Sequence, residues 1–222
     1  MEKYNESLKY KTWEKELKKN NIRIESVEEK YSVRKKNGEI LFTLAHLDAK
    51  DEEGYPLLPI VLLRGSFVAV LTALREKESG KTYFLLVKQR RVATGGYFYE
   101  HPAGMCDSET DPYKVALKEV EEETGLTIQK EQLELIWDKP LYSSPGLLDE
   151  AGYFFVCEVE MSAVELDTYR DRITGAQDEN ERIFTFLCPE DEVFEYLENS
   201  NGVMLTLLYL QKRNKKANLW KK

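Results

Sequence analysis

The spacing of apolar residues predicts two kinds of structure in the first part of the chain. Leu8, Trp13 and Leu17 are spaced to lie on one side of a helix within residues 1–20. Alternating apolar residues then flank the pair Asn37-Gly38, which is typical of a tight hairpin turn. We therefore expect a helix followed by an antiparallel sheet over about residues 21–47.

Further apolar runs predict a second, larger set of strands and helices. The predicted strands are 67–74, 82–89, 97–99, 133–137, 152–159 and 182–187, and the predicted late helices are 191–197 and 203–212. Strands that continue on both sides of a helix favour an α/β fold with a mixed sheet between helices. We divide the chain into an N-terminal helix and β-hairpin region, residues 1–60, and a larger domain, residues 61–222.

One helix is predicted in detail because its ends carry strong local signals. Asp111 and Pro112 suit the start of a helix, and Gly125 suits its left-handed end. Between them, apolar residues recur at the spacing of one buried stripe: Tyr113, Ala116, Leu117 and Val120. This predicts a helix of three to four turns.

The same helix carries three glutamates, Glu119, Glu122 and Glu123, at positions i, i+3 and i+4. Like charges at this spacing destabilise an isolated helix by about 0.2–0.5 kcal/mol per pair. A divalent cation bound by the carboxylates would offset the repulsion. The alternative interpretation is an ordinary solvated acidic face, with Lys114 and Lys118 as counter-charges.

The order of loop, helix and glycine resembles the Nudix box, the signature of the Nudix hydrolases. The residues in register are Gly104, Glu119, Val120, Glu122, Glu123, Gly125 and Leu126. Thr110 stands where the family has a Glu, and Lys118 where it has an Arg. In the family those two residues mostly brace the loop against the helix, so the resemblance implies an altered box that still binds metal. Either Glu109 or Asp111 is a candidate replacement for the missing carboxylate.

The resemblance continues outside the box and is closest to the ADP-sugar pyrophosphatase branch of the family. The matching segments are 86–92 with its Gln-x-Arg element, 100–105 with Glu-x-Pro-Ala-Gly-Met, 144–146 with Ser-Pro-Gly, and the acidic loop 175–181. The family fold is an α/β/α sandwich. In this branch an N-terminal antiparallel sheet commonly helps to form a homodimer, which we expect here.

The resemblance also implies roles for individual residues. The metal ligands would be Glu119, Glu122, Glu123 and the carbonyl of Ala103, with Mg²⁺ as the ion and Mn²⁺ as an alternative. The expected catalytic residues are Glu122 and Glu179, the latter preferred to Glu181. Substrate would be bound by Arg91 and Glu100; their alternatives are an ordinary edge-strand charge and a strand-end carboxylate paired with a lysine.

These assignments predict Mg²⁺-dependent hydrolysis of the pyrophosphate bond of an ADP-sugar, ADP-ribose or ADP-glucose, to AMP and a sugar phosphate. One alternative keeps the chemistry and changes the substrate to GDP-mannose, a UDP-sugar or a dinucleotide. The other alternative is a non-catalytic module that senses a nucleotide.

Composition limits the partners that the chain is expected to have. A net charge of −8 disfavours a nucleic-acid interface, and the chain has no apolar run long enough to span a membrane. The 3 cysteines form no Cys-x-x-Cys pair, which is consistent with a reducing compartment. We therefore expect a cytoplasmic enzyme, in which His46 and His101 are structural.

Overall fold

The computed structural model describes residues 3–175 and 182–219. The chain forms two compact units. The first unit comprises residues 1–67, 105–110 and 140–152, and the second comprises 68–104, 111–139 and 153–222. The predicted division at residue 60 stays a prediction.

The helices and strands have the following bounds. The α-helices are α1 Leu8–Lys19, α2 Pro112–Thr124, α3 Ala163–Asp167, α4 Val193–Tyr196 and α5 Ser200–Leu219. The strands are β1 Arg23–Arg34, β2 Ile40–Lys50, β3 Ile60–Leu63, β4 Phe67–Glu76, β5 Thr82–Arg90, β6 Tyr97–Glu100, β7 Ala103–Met105, β8 Leu133–Leu135, β9 Leu141–Tyr142, β10 Ala151–Met161, β11 Ile173–Thr174 and β12 Ile183–Pro189. The α/β prediction is confirmed.

The first unit contains the predicted N-terminal helix and hairpin. β1, β2 and β3 form an antiparallel sheet in that order. Gly38 has φ +90° in the turn between β1 and β2, a conformation that favours glycine. Trp13 of α1 is buried in a cluster with alternate residues of β2 and β3: Ala45, Leu47, Ala49, Val61 and Leu63. The period of two in these strands brings their apolar side chains to one face.

An ionic cluster lies in the same unit. The ammonium group of Lys9, which is buried, donates to the carbonyl of Leu41 at 2.7 Å and to Oδ1 of Asp107 at 2.9 Å. Lys35 lies 2.7 Å from the other carboxylate oxygen of Asp107. Burial raises the pKa of Asp107, but hydrogen bonds from Lys35 and Lys9 outweigh burial and leave the pKa below its ordinary value. The Asp107 carboxylate is therefore charged and tied to α1.

The second unit is built on the larger sheet, in the order β11-β12-β5-β4-β10-β8, with β6 paired to β5 and β7 to β4. The central strand β4 is buried over Phe67–Leu74 because its side chains are apolar on both faces. α2 packs on the sheet through Tyr113 against Phe155, and α5 packs through Tyr209 against Phe84. Among the described residues, no helix is both long and apolar enough to cross a membrane.

The late helices differ from the prediction. α5 extends beyond the predicted 203–212 at both ends. Its earlier start at Ser200 follows from Asn199, which accepts a hydrogen bond from the Gly202 N–H and so caps an earlier first turn. The predicted helix 191–197 is a 3₁₀ turn, Glu190–Glu192, followed by the single turn of α4. Short apolar runs leave such boundaries to long-range packing.

Candidate active site

The helix of the Nudix-like box forms as its end signals predict. Asp111 caps α2, accepting a hydrogen bond from the Tyr113 N–H at 3.0 Å, and Pro112 occupies its first turn. Gly125 ends the helix in the left-handed conformation with φ 73°. A Cβ atom at Gly125 would also lie 2.6 Å from Nη2 of Arg172. Since Asp111 serves as the cap, its carboxylate already has a local structural role.

Two of the three glutamates contact strand β7, which precedes α2 in the chain. The Glu123 side chain is buried, and its Oε2 accepts a hydrogen bond from the Ala103 N–H at 2.9 Å. The Glu119 carboxylate lies against the backbone of Gly104, where a Cβ atom would be 2.5 Å from Oε2 of Glu119. The structure thus brings both carboxylates to the segment whose Ala103 carbonyl was predicted as a ligand.

Glu122, the third glutamate, faces Lys118. The Lys118 Nζ lies 2.9 Å from Oε2 of Glu122 and 3.7 Å from Oε1 of Glu119. One ammonium group therefore lies within ion-pair distance of two of the predicted metal ligands, at the position where the family has an arginine.

No metal centre is preformed in the part of the chain that the structure describes. There, no three His, Cys, Asp or Glu side chains are grouped closely enough to hold an ion. The donor chemistry nevertheless suits Mg²⁺ or Mn²⁺, because carboxylate and carbonyl oxygens are the ligands that hard cations prefer. The metal assignments of Ala103, Glu119, Glu122 and Glu123 stay predictions.

The two predicted substrate-binding residues, Arg91 and Glu100, are paired with each other. Arg91 donates to Oε2 of Glu100 from Nε at 3.0 Å and also from Nη2. Gln89 donates to the same oxygen at 3.3 Å, and Asn199 donates to Oε1 at 3.0 Å. Glu100 is only 8% exposed, whereas the Arg91 side chain is 43% exposed. The strand-end carboxylate is therefore held by an arginine and two amides, not by the lysine of the alternative interpretation.

The residues at the start of the acidic loop are hydrogen-bonded to the C-terminal end of α2. The Thr174 hydroxyl donates to the carbonyl of Glu123 at 2.5 Å, and the Gly175 N–H donates to the carbonyl of Glu122 at 3.2 Å. The predicted catalytic residue Glu179, like Glu181, lies outside the described residues. Its role stays a prediction.

His101 is buried directly after Glu100. Its Nε2 lies 2.9 Å from the Thr206 hydroxyl, which itself donates to the Gly202 carbonyl at 2.9 Å. Because the hydroxyl proton is used there, Nε2 must carry the imidazole proton. Burial lowers the pKa of His101 to about 3, so the ring is neutral. This is a packing role, as predicted, and not the environment of a catalytic base.

Asn199 was not among the residues singled out from the sequence. Its position before an apolar run is a helix-cap signal and could have located the start of α5. Its contact with Glu100 joins residues 99 positions apart, so no local pattern could have indicated it.

The fold and the box together define a Nudix protein. The NUDIX domain model matches residues 65–208, which is more than half of the chain. The chain therefore belongs to the Nudix family, and the resemblance to the Nudix hydrolases is confirmed at the level of the family.

The chain is similar to several named Nudix hydrolases and pyrophosphatases. A GDP-mannose pyrophosphatase of Enterobacter sp. (strain 638) is 30% identical over 82% of this chain and 84% of that protein. An ADP-ribose pyrophosphatase of Bacillus subtilis (strain 168) is 39% identical over 44% of this chain and 48% of that protein. Nudix hydrolase 14, a chloroplastic protein of Arabidopsis thaliana, is 31% identical over 71% of this chain and 53% of that protein. The chain spans about half the length of the latter two relatives.

A solved structure has the same fold. The crystal structure of an ADP compounds hydrolase aligns with a TM-score of 0.61, covering 88% of this chain and 96% of that one, at 17% identity. This likeness supports the Nudix fold for the chain.

Proposed function

We propose that the protein hydrolyses the pyrophosphate bond of an ADP-sugar, ADP-ribose or ADP-glucose, in a reaction that depends on a divalent metal. The observation that carries the proposal is the position of Glu119 and Glu123 on the Ala103-Gly104 segment, within a NUDIX domain. The products would be AMP and a sugar phosphate.

The residues that would hold Mg²⁺, or Mn²⁺ as an alternative, are Glu119, Glu122, Glu123 and the Ala103 carbonyl. Such an ion supplies charge neutralisation at the phosphoryl oxygens and lowers the pKa of bound water. The Lys118 ammonium lies within ion-pair distance of two of these carboxylates, so a metal ion would share this face of α2 with an existing positive charge.

Arg91 would hold the diphosphate. Its guanidinium is fixed on one side by Glu100, and the Arg91 side chain is 43% exposed, so the remaining N–H groups can donate to phosphate oxygens. Glu100 would act mainly by orienting Arg91. Holding the reacting groups in one geometry supplies much of the rate in phosphoryl transfer.

Glu179 would orient or deprotonate the attacking water, with Glu122 assisting at the metal. Thr174 and Gly175, which precede the acidic loop in the sequence, are hydrogen-bonded to the end of α2. The proposal for Glu179 derives from the family resemblance.

The choice of an ADP-sugar is supported by relatives named ADP-ribose pyrophosphatase in Bacillus subtilis and Saccharomyces cerevisiae. GDP-mannose is the second candidate substrate, because the Enterobacter GDP-mannose pyrophosphatase matches over most of both chains. The two candidates share the metal chemistry and differ in base and sugar.

A turnover assay over a panel of nucleotide sugars, with and without added Mg²⁺, tests the proposal. We expect ADP-ribose or ADP-glucose to give the highest kcat/KM, and chelation with EDTA to abolish turnover. A preference for GDP-mannose would change the proposed substrate but not the class of enzyme. Binding of nucleotide sugars without turnover, at any metal concentration, would instead support the sensing alternative.

We also propose that the protein is a cytoplasmic homodimer that uses its β1–β3 sheet in assembly, as the family resemblance implies. Light scattering coupled to size-exclusion chromatography tests the assembly. A monomeric mass at micromolar concentration would contradict it.

A further inference from the structure

Asn199 makes two hydrogen bonds with opposite ends of its side-chain amide. Its Oδ1 accepts from the Gly202 N–H at 2.7 Å, and its Nδ2 donates to Oε1 of Glu100 at 3.0 Å. A carboxylate can only accept here and a backbone N–H can only donate, so the two partners fix the orientation of the amide. Asn199 is thus the cap of α5 and at the same time a donor to Glu100.

Glu100, which accepts the hydrogen bond from Asn199, also binds Arg91. Oε1 of Glu100 is held by Asn199, while Oε2 receives the Arg91 guanidinium. Because both oxygens are engaged, the carboxylate has a single favoured rotation, and that rotation sets the plane of the guanidinium. The Glu100 side chain is buried, so water competes little with these bonds.

A second, independent bond holds the next turn of α5 beside the end of β6. His101, the next residue after Glu100, pairs with Thr206, whose hydroxyl donates to the Gly202 carbonyl. Gly202 also leaves room for the cap itself, since a Cβ atom there would lie 3.1 Å from Cδ2 of Leu197 and closer still to Oδ1 of Asn199. The first turn of α5 is therefore rigidly placed beside Glu100.

We propose that Asn199 is a positioning residue for the diphosphate site: it orients Glu100, which in turn orients Arg91 toward the substrate. The inference rests on the proposed function, in which Arg91 holds the diphosphate. According to this inference, the N-cap residue of α5, which lies outside the family box, also controls substrate affinity.

Two substitutions separate positioning from helix capping. Asn199→Ser keeps an N-cap acceptor for α5 but removes the donor to Glu100. Asn199→Asp also keeps the acceptor and places a second carboxylate against Glu100. Asn201→Asp is the matched control, because it adds the same charge in the first turn of α5 at a position with no assigned role in the site.

We expect Asn199→Ser to raise KM for the preferred nucleotide sugar about tenfold while kcat changes less than threefold, and Asn199→Asp to have a larger effect on KM. Asn201→Asp should match the wild type in both constants. A double-mutant cycle supplies the decisive test: in an Arg91→Ala background, Asn199→Ser should have no further effect on KM, because Asn199 acts through Arg91.

Unchanged KM in Asn199→Ser, or an equal effect with and without Arg91, would overturn the inference while leaving the proposed hydrolysis intact. If the wild type hydrolyses no nucleotide sugar, the proposed activity fails, and the dissociation constant of ADP-ribose measured by calorimetry becomes the test. A tenfold weaker constant in Asn199→Ser then supports the inference. An unchanged constant, or no binding by the wild type, overturns it.

Discussion

The carboxylate of Glu119 lies directly against the backbone of Gly104, in the space that any larger residue's side chain would occupy. A Cβ atom on Gly104 would be 2.5 Å from Oε2 of Glu119. Gly104 does not have a positive φ, so its backbone conformation is open to other residues. The requirement for glycine here comes from the neighbouring carboxylate and not from the backbone conformation.

Gly104→Ala should therefore displace Glu119. We expect turnover to fall roughly 10- to 100-fold, because small misplacements at a reacting centre have effects of that size. The overpacked methyl group should also cost about 1–3 kcal/mol in the free energy of unfolding. Steady-state kinetics and urea titration measure the two effects.

Gly96→Ala is the control for this substitution. A Cβ atom on Gly96 would meet its neighbours at 3.5 Å and 3.8 Å, which are ordinary van der Waals distances. Its turnover should stay within a factor of about two of the wild type. Equal turnover in both alanine variants would show that Glu119 does not need its observed position.

The box helix could be predicted from the sequence because its determinants are local. Asp111, Pro112 and Gly125 act within a few residues of the helix ends, and the structure gives α2 the bounds that they imply. The spacing of Glu119, Glu122 and Glu123 likewise follows from the period of the helix alone.

The surroundings of Glu100 could not be predicted in the same way. Its partners Gln89, Arg91 and Asn199 are brought together by strand pairing and by the docking of α5. Register between strands and the placement of a helix on a sheet depend on the whole core. A motif therefore identified Glu100 and Arg91 but did not indicate that they bind each other.

Glu123→Gln tests the proposed metal site. The amide keeps an oxygen for the Ala103 N–H but removes the negative charge, so we expect kcat to fall by about 100-fold or more at saturating Mg²⁺. The melting temperature should change little. Glu121→Gln, an exposed position on the same helix, should retain wild-type kcat. Near-normal turnover in Glu123→Gln would show that Glu123 is not a ligand of a catalytic metal.

Lys118→Met tests whether the lysine competes with the metal. The Lys118 ammonium lies 2.9 Å from Glu122 and 3.7 Å from Glu119, so it should repel a cation bound by the same carboxylates. A charge interaction of about 1 kcal/mol corresponds to a roughly fivefold change in binding. We expect the Mg²⁺ concentration for half-maximal activity to fall by about that factor.

The matched control for Lys118→Met is Lys114→Met, one turn earlier on the exposed side of α2. It should leave the Mg²⁺ dependence unchanged. A higher Mg²⁺ requirement in Lys118→Met would contradict competition and would indicate that Lys118 braces the box instead, the role that the family gives to its arginine.

His101 should make the folded protein sensitive to mild acid. Its pKa is about 3 in the folded protein and 6.5 when exposed, so between these values the unfolded chain binds one more proton than the folded chain. Stability contributed by the neutral ring is therefore complete above pH 6.5 and is lost as the pH falls, at up to roughly 1.4 kcal/mol per pH unit.

His101→Gln removes this proton while keeping an amide donor for Thr206. The free energy of unfolding, measured by urea titration between pH 4.5 and 7, should fall less steeply toward acid in the variant than in the wild type, by up to roughly 1.4 kcal/mol per pH unit. His46→Gln, on the exposed side of β2, is the control for the loss of a histidine. Equal slopes in the wild type and His101→Gln would mean that the buried ring takes up a proton while the protein stays folded. The hydrogen bond between Nε2 and Thr206 would then not require a neutral imidazole.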